Sequence, residues 1–417
     1  TFTTSLWFKR TELSADQEVW HGGRNGELVG MGILSYQAAD DQLWVEIGGG
    51  SGNTGSQYRS YSTQKIRDTS AWYHFVLAMD TTQATEANRW KAWLNGVEVT
   101  SWAQRQYPSQ NYQSALEHGT DMAWGGYRPS NVSLFSGYLA ECHYLDGVAK
   151  VQTDFGEYDE DSGIWIPKAY TGTYGGNGCY LNFDDSASLG ADSSGNSNTF
   201  TLNNIAAADQ ATDTPTNNFC TWSPLWRYLY QPIISEGGTK AGYSDSTDEN
   251  AKGSIGVING KWYWEAKPVG TIGSQFIGIQ TANTAYTIGS QGLTQNYTMV
   301  IEPQGRYYSY SGSLSESSAG QFTALSTSSW LGIALDMDSA TKTIKYYVDG
   351  SLILTLDLIS DMQDRTVFPF LQNYESRSFY INFGGYTLNT ISSAASDANG
   401  YGTFEYAPPT GYYALCT

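Results

Sequence analysis

Trp90-Lys-Ala-Trp-Leu-Asn-Gly-Val-Glu-Val-Thr100 decides how the rest of the chain is read. Two short runs rich in aromatic and β-branched residues flank Asn95-Gly96, a dipeptide that accepts positive φ at both centres of a two-residue turn. The stretch is therefore a β-hairpin. Upstream, Trp72-Tyr-His-Phe-Val-Leu-Ala-Met-Asp80 supplies an apolar strand that ends in an acid. The same order recurs far downstream: Trp330-Leu-Gly-Ile-Ala-Leu-Asp-Met-Asp338, a strand-like run at 342–348, Asp349-Gly350, and a second run at 351–356. In each copy a Trp is followed eight residues later by an Asp. One supersecondary device used twice predicts two domains of shared architecture. The rest of the two halves does not align, so a duplication is not implied.

Working outward, further strand-like runs punctuated by Gly and Asn occupy residues 1–9, 30–37, 43–48, 97–102 and 137–144, then 261–265, 275–280, 298–302, 306–311 and 378–383. Because each sheet must bury one face, the expected fold class is all-β, two antiparallel β-sandwich (jelly-roll) domains. The boundaries read as 1–150 for the first sandwich, 151–227 for an acidic, Asp/Ser/Gly/Asn-rich connector, 228–391 for the second sandwich, and 392–417 for a C-terminal extension. Strands are expected in the connector at 178–183 and 200–202, and its Trp165 and Phe219 predict packing on the first domain rather than a free linker.

Composition excludes several function classes. The 417 residues hold 22 basic and 41 acidic side chains, a net charge of −19 that repels phosphate backbones and anionic lipid, so no nucleic-acid partner is expected. Only 15% of residues are charged while 14% are aromatic and 45 are Gly, which suits strands and tight turns and not a helical enzyme. No apolar run is long enough for a membrane-spanning helix, and no membrane insertion is expected. Cys142, Cys179, Cys220 and Cys416 are too few and too scattered for a disulfide framework and read as small buried hydrophobes.

Phe2-Thr-Thr-Ser-Leu-Trp-Phe-Lys-Arg10, the Trp72 strand, the Asn95-Gly96 hairpin and Gly137-Tyr-Leu-Ala-Glu-Cys-His-Tyr-Leu-Asp-Gly147 together resemble the laminin-G/concanavalin-like jelly roll over residues 1–150. Gly260-Lys-Trp-Tyr-Trp-Glu265, Phe276-Ile-Gly-Ile279, the strand pair at 330–356 and Phe379-Tyr-Ile-Asn-Phe-Gly384 resemble a SPRY domain over 228–391. Asp154-Phe-Gly-Glu157, Leu189-Gly-Ala-Asp-Ser-Ser-Gly-Asn-Ser-Asn198, Asp213-Thr-Pro-Thr-Asn-Asn-Phe219 and Pro408-Pro-Thr-Gly-Tyr-Tyr-Ala-Leu-Cys-Thr417 are similar to marine bacteriophage tail-fibre and other virion structural proteins that pair these two domains. That resemblance implies a virion-surface localisation, other virion proteins as partners, a homotrimer and attachment to a host-cell glycan. It also implies truncated ends: the jelly roll normally carries an edge strand before Phe2, and the phage proteins continue beyond the Leu-Cys-Thr point.

Catalytic patterns are missing from the sequence. There is no Glu-x-Asp-x-x-Glu run to face two carboxylates across a glycosidic bond, and Glu46 and Glu141 stand alone on their strands. Gly-x-Ser-x-Gly, His-Glu-x-x-His and the Gly-Lys-Ser/Thr phosphate loop do not occur, and the Gly48–Gly55 run lacks the Lys and reads as a rim loop. His21, His74, His118 and His143 share no ligand spacing, which disfavours zinc; no cofactor is required, and the expectation is a non-enzyme.

Calcium is the metal to weigh, because hard oxygen donors cluster in two loops: Asp184, Asp185, Asp192, Asn196 and Asn198, and Asp154, Glu157, Asp159 and Asp161. Calcium-assisted glycan binding among laminin-G relatives favours it; the ordinary solvation of acidic loops opposes it. For a glycan, the residues to watch are loop aromatics that stack on sugar C–H faces: Tyr58, Tyr61, Tyr107, Tyr112, Trp124 and Tyr127 in the first domain, and Tyr307, Tyr308 and Tyr310 beside a Ser/Gly turn in the second. With 14 Trp, 31 Tyr and 15 Phe in two sandwiches, most aromatics must nevertheless be core. Two sequons, Asn131-Val-Ser and Asn296-Tyr-Thr, carry no weight for a product assembled in bacterial cytoplasm. Two alternatives stand beside the glycan-binding reading: a module making only protein contacts within the virion, and a glycan depolymerase.

Overall fold

The structure is a computed structural model that describes residues 1–13, 15–24, 27–34, 41–48, 57–114, 116, 122–126, 133–226, 232–242, 249–282, 297–373 and 377–417. The chain divides into two compact units, Thr1–Gln210 and Ala211–Thr417. Both are antiparallel β-sandwiches, as the strand spacing requires.

The first unit contains β1 (Phe2–Arg10), β2 (Gln17–Arg24), β3 (Glu27–Leu34), β4 (Gln42–Gly48), β5 (Gln57–Lys65), β6 (Tyr73–Met79), β7 (Trp90–Leu94), β8 (Val97–Glu98), β9 (Trp102–Gln104), β10 (Met122–Trp124), β11 (Gly137–Asp146), β12 (Gly156–Tyr158), β13 (Trp165–Pro167) and β14 (Cys179–Leu181). Sheet I runs β14-β11-β1-β6-β7-β8, and sheet II runs β10-β2-β3-β4-β5-β9. Their inner faces meet in one apolar layer, with Leu6, Phe8, Phe75 and Leu77 from sheet I against Val29, Met31, Ile33, Val45 and Ile47 from sheet II.

The second unit contains β15 (Trp222–Ser223), β16 (Ile233–Ser235), β17 (Lys240–Gly242), β18 (Glu249–Gly253), β19 (Lys261–Val269), β20 (Phe276–Thr281), β21 (Thr298–Glu302), β22 (Arg306–Tyr310), β23 (Leu314–Glu316), β24 (Leu331–Asp336), β25 (Thr343–Val348), β26 (Ser351–Asp357), β27 (Val367–Asn373), β28 (Ser378–Asn382) and β29 (Tyr413–Ala414). Sheet III runs β15-β18-β27-β20-β21-β22-β23; sheet IV runs β16-β17-β28-β19-β24-β25-β26, with β29 added in parallel to β19. Ile277, Ile279, Met299 and Ile301 pack on Trp264, Leu331, Ile333 and Leu335 to form its core.

The repeated hairpin is built the same way in both units. Asn95 and Gly96 take φ 48° and 80°, and Asp349 and Gly350 take 47° and 77°. The first turn residue clamps the incoming strand from both sides. Asn95 donates its N–H to the His74 carbonyl at 2.8 Å, and its Oδ1 accepts the His74 N–H at 2.7 Å. Asp349 does the same to Trp330, at 2.9 Å both ways. This geometry corrects the sequence alignment of the two copies. His74, not Trp72, corresponds to Trp330, so Asp80 corresponds to Asp336. Each of these acids accepts N–H and hydroxyl donors from the turn that follows, Asp80 from Thr82 and Asp336 from Ser339.

Each unit also hides the second face of one sheet beneath its own terminal segments, the C-terminal segment in the first and both its N- and C-terminal stretches in the second. In the first, Val76, Ala78, Trp93 and Leu145 on the outer face of sheet I are covered by Phe155, Tyr170 and Tyr174. That is why all nine residues of β1 are buried instead of alternating. In the second, Tyr263 and Ala334 of sheet IV lie under Phe219, Phe404, Tyr412 and Ala414. The stretch expected as a connector is accordingly divided: residues 151–210 complete the first unit and 211–227 belong to the second, as does the 392–417 extension.

Other sequence expectations change for local reasons. Strands β2, β5, β18 and β27 form where none was expected: polar residues and Gly weaken the local signal of the first three, Pro369 interrupts the fourth, and pairing with neighbouring strands fixes them. Residues 200–202 form no strand; the Phe200 N–H instead closes a loop onto the Gly190 carbonyl at 2.8 Å. None of the four cysteines is in a disulfide; three are buried and Cys416 is half-buried. Among the described residues no helix is long and apolar enough to cross a membrane.

Candidate functional site

With sheet I covered, the outer face of sheet II is where the first unit gathers chemistry. Four strands cross it in two rows set by register. Glu18 pairs with Gly32, Gly32 with Trp44, and Trp44 with Tyr61; His21 pairs with Gly30, Gly30 with Glu46, and Glu46 with Arg59. A bulge between Glu18 and Trp20 in β2 breaks the alternation there. The centre strand thus carries two glycines where side chains would otherwise fill the space. The Trp44 indole lies over them: a Cβ at Gly32 would come within 2.7 Å of its Nε1, and one at Gly30 within 3.5 Å of its Cη2.

Two carboxylates flank this glycine strand. Glu46 is 4% exposed and its Oε2 accepts the Arg59 Nε–H at 3.0 Å, while its Oε1 has no hydrogen-bond partner among the described residues. Glu18 is 9% exposed; its Oε2 lies 3.8 Å from His21 Nδ1, beyond hydrogen-bond reach, and also has no hydrogen-bond partner among the described residues. Burial, reinforced by the charge of Glu46, pushes the Glu18 carboxyl up to about 7. Burial also raises Glu46, against the pull of the Arg59 guanidinium. Glu46 is the single carboxylate on β4, as the sequence indicates. The other acid, Glu18, lies on β2, the strand that the sequence patterning does not reveal, and two acids on separate strands leave no linear motif.

The candidate aromatics fare unevenly. Tyr61 sits on this face, half-buried beside Trp44. Tyr58 turns inward from β5 and packs edge-on against Tyr112 at 5.2 Å, both against the core. Tyr107 packs on Trp90 and carries the Arg105 guanidinium 4.9 Å from its ring. Trp124 is on strand β10, not a loop, with its ring 6.1 Å from Trp20. Tyr127 lies outside the described residues, as do His118, the Gly49–Gly55 part of the rim run and both sequon asparagines.

In the second unit Tyr307 packs against the core, and Tyr310 is half-buried opposite Thr298. The buried Tyr308 donates its hydroxyl toward Glu302 at 3.1 Å and Glu316 at 3.3 Å, with its ring edge-on to Phe276. Apart from Tyr61, then, the described candidates serve packing first.

The candidate calcium ligands turn hydrogen-bonding atoms onto the protein's own turns. Asp192 spends its oxygens on the N–H groups of Tyr180, Ser194 and Asn198 and on the Ser194 hydroxyl, at 2.8–2.9 Å. Asn196 and Asn198 turn their amide N–H groups onto the Gly178 carbonyl at 2.9 Å, so they act as donors. Asp184 accepts Asn182 Nδ2 and Asp185 caps the Ala187 N–H. In the second cluster Asp154 caps Val151, Asp159 caps Ser162, and Glu157 faces Lys168 at 3.4 Å. These acids staple turns. Among the described residues no group of three or more His, Cys, Asp or Glu is arranged to hold a metal ion.

One further constellation has the composition of a nucleophile pair and the wrong protons. Ser5 Oγ lies 2.9 Å from His74 Nε2, but His74 Nδ1 accepts the Trp165 Nε1–H at 2.9 Å. The imidazole proton is therefore on Nε2, donated to the serine, and the ring has no lone pair with which to activate it. Burial holds His74 down at about 3, and Trp7 stacks on its ring at 4.6 Å. His143 is similarly enclosed, stacked on Tyr180 at 4.2 Å. Glu141 occupies a positive-φ bulge and accepts the Tyr180 hydroxyl at 2.6 Å.

Residues 1–152 match the family described as the Concanavalin A-like lectin/glucanases superfamily. Among solved structures, the chain is similar to the TRIM65 PSpry domain, at 12% identity over 39% of this chain and 89% of that one, with a TM-score of 0.30. It is also similar to the SPRY domain of human HERC1, at 12% identity over 38% of this chain and 94% of that one, with a TM-score of 0.28. No curated protein matches the chain.

Proposed function

We propose that the chain is a non-enzymatic glycan-binding protein of a phage virion surface, a fibre or spike segment that attaches to a host-cell glycan through the outer face of sheet II. The observation that carries glycan binding is the Glu18–Glu46 pair: two buried carboxylates, each with an oxygen lacking a partner, beside the Trp44 indole and a strand of glycines. Sugars are bound by this combination, hydroxyls donating to fixed acceptors and an apolar ring meeting the C–H face. The lectin-containing superfamily matched over residues 1–152 supports the same reading. The virion assignment rests on the resemblance of the 154–219 and 408–417 segments to phage fibre proteins. Trimeric assembly would multiply weak single sites into avid attachment.

The test is a glycan array of bacterial envelope polysaccharides, probed with the full chain and with Glu46→Gln and Tyr61→Ala. Specific binding that drops at least about tenfold in Glu46→Gln, the loss of about one charged hydrogen bond, is expected. A blank array with folded protein would sink the reading and leave a module making only protein contacts in the virion. A second reading, cleavage of the bound glycan, has the same carboxylate pair behind it, since one acid held protonated near neutrality beside one held by an arginine is the division of labour glycoside hydrolysis uses. Reducing ends released by the wild type and not by Glu18→Gln would move the assignment there.

A further inference from the structure

We propose that the Glu18–Glu46 pair restricts this face to neutral sugars, excluding uronic and sialic acids, and that a bound sugar expels a proton from the pair. The inference rests on the glycan-binding reading above and names the ligand class. Its starting point is an imbalance in the polar groups. Glu18 Oε2 and Glu46 Oε1 are buried acceptors without partners, on β2 and β4 at either side of a strand that offers only Gly30 and Gly32. An unmet buried acceptor is unfavourable, and a donor relieves it. Sugar hydroxyls are donors at the spacing of neighbouring ring carbons, and the buried Trp44 indole lies over the two glycines between the acids.

A sugar carboxylate would meet the opposite situation. The described charged groups on the elements bearing on Glu18 are His21 on its own strand, Glu46 on β4 and Arg59 on β5. Beyond Gln17, Arg10 is already committed to Asp41 at 3.0 Å, and Asp41 also holds Arg67. Arg59, the cation nearest the pair, is engaged by Glu46 itself. A second carboxylate entering here would therefore meet the charge of Glu46, joined by that of Glu18 once it ionises, with the Arg59 Nε–H already given to Glu46.

The proton follows from the crowding. In the free protein Glu18 titrates near 7 because it is buried next to another carboxylate. A hydroxyl donated to Glu18 favours its ionised form, so binding lowers its affinity for the proton, which leaves to solvent. With the free group at about 7, linkage makes binding about tenfold tighter at pH 8 than at pH 6.

The experiment is calorimetric titration of the full chain with laminarin, dextran and mannan as neutral probes and alginate and polysialic acid as anionic ones. Each is run at pH 6 in phosphate and in imidazole, and at pH 8 in phosphate and in Tris, buffers whose different ionisation heats report proton release. At least one neutral polysaccharide should bind, about tenfold tighter at pH 8, with up to about one proton released at pH 6. Neither anionic probe should bind comparably. Glu18→Gln, confirmed folded by near-UV circular dichroism, should keep binding but lose both the pH dependence and the buffer-dependent heat. A neutral polysaccharide that binds equally at both pH values without proton release, or alginate or polysialic acid as the tightest binder, overturns the inference while leaving glycan binding intact. Failure of all five probes, together with a blank array, removes the glycan-binding reading itself.

Discussion

Replacing Gly96 by alanine tests the claim that the hairpin is shaped to receive the segment that follows the first sandwich. Gly96 has φ +80°, where an L-residue costs about 1–2 kcal/mol. The new Cβ would also stand 2.7 Å from Trp165 Cε3. Trp165 cannot easily retreat, since its Nε1–H is held by His74 Nδ1 at 2.9 Å and its other edge lies 2.5 Å from where a Cβ on Gly156 would be. Overpacking of this kind typically adds about 1–3 kcal/mol, so Gly96→Ala should cost about 2–5 kcal/mol in all.

Gly147→Ala is the control, because Gly147 has φ +73° with nothing within 4 Å of a Cβ and should cost only the conformational part, about 1–2 kcal/mol. The assay is urea unfolding of the full chain, with hydrogen exchange of the Val99 amide, which bonds the Ala92 carbonyl at 2.8 Å, as a local reporter. In a Trp165→Ala background the cost of Gly96→Ala should fall to that of the control. Equal costs for Gly96→Ala and Gly147→Ala, or an unchanged cost once Trp165 is gone, would refute the reasoning.

The same logic applies in the second unit. Gly350→Ala, at φ +77° and 2.8 Å from Tyr406 Cδ1, should be destabilising, and less so in Tyr406→Ala. His74 is kept neutral by burial, held down at about 3, so its contribution to stability is full above its unfolded value of 6.5 and is lost as pH falls toward 3. Glu18 acts in the opposite sense between 4.5 and about 7, so the readout is the difference between wild type and His74→Gln, whose urea midpoint should fall less steeply below pH 6.5. Glu265, raised by burial to about 7, accepts the N–H groups of Glu405 and Tyr406 at 2.8 Å. Its contribution is present below 4.5 and lost as pH rises through about 7, so Glu265→Gln should flatten that slope, while Glu265→Ala should expose the 405 and 406 amides to exchange at a cost of about 2–4 kcal/mol. Asp192→Ala, which removes an acceptor of four hydrogen bonds, should cost about 2–4 kcal/mol with or without chelator, and the wild-type melting temperature should not move with calcium. Calcium that stabilises the wild type but not Asp192→Ala would show the loop to be a metal site after all.

Two sandwiches were legible in the sequence because their signals are local. Asn95-Gly96 and Asp349-Gly350 need only adjacent residues to specify positive φ, and the Trp72 and Trp330 stretches are apolar enough to name their own strands. The strand β2 is the opposite case. Gln17-Glu-Val-Trp-His-Gly-Gly-Arg24 has little strand preference of its own and becomes one through pairing with β3 and β10. The aromatics misled for a related reason: Tyr58 and Tyr61 are three residues apart on a strand, and only the pairing partners tell that one faces the core and the other Trp44. The acidic runs looked like metal ligands because composition counts oxygens, whereas the fold spends them on backbone N–H groups.

The sequence alone determined the class of fold, its turns and its two-domain organisation, since periodicity and turn chemistry act over a few residues. Only the tertiary structure decided that the residues after the first sandwich complete it, that the two hairpins align through His74 and Trp330, and that Glu18 and Glu46 flank one strand of glycines. Those are facts about partners distant in sequence. Which carboxylate faces which, and how far burial raises it, depends on strand register and on what excludes water, and neither is written in any window of neighbouring residues.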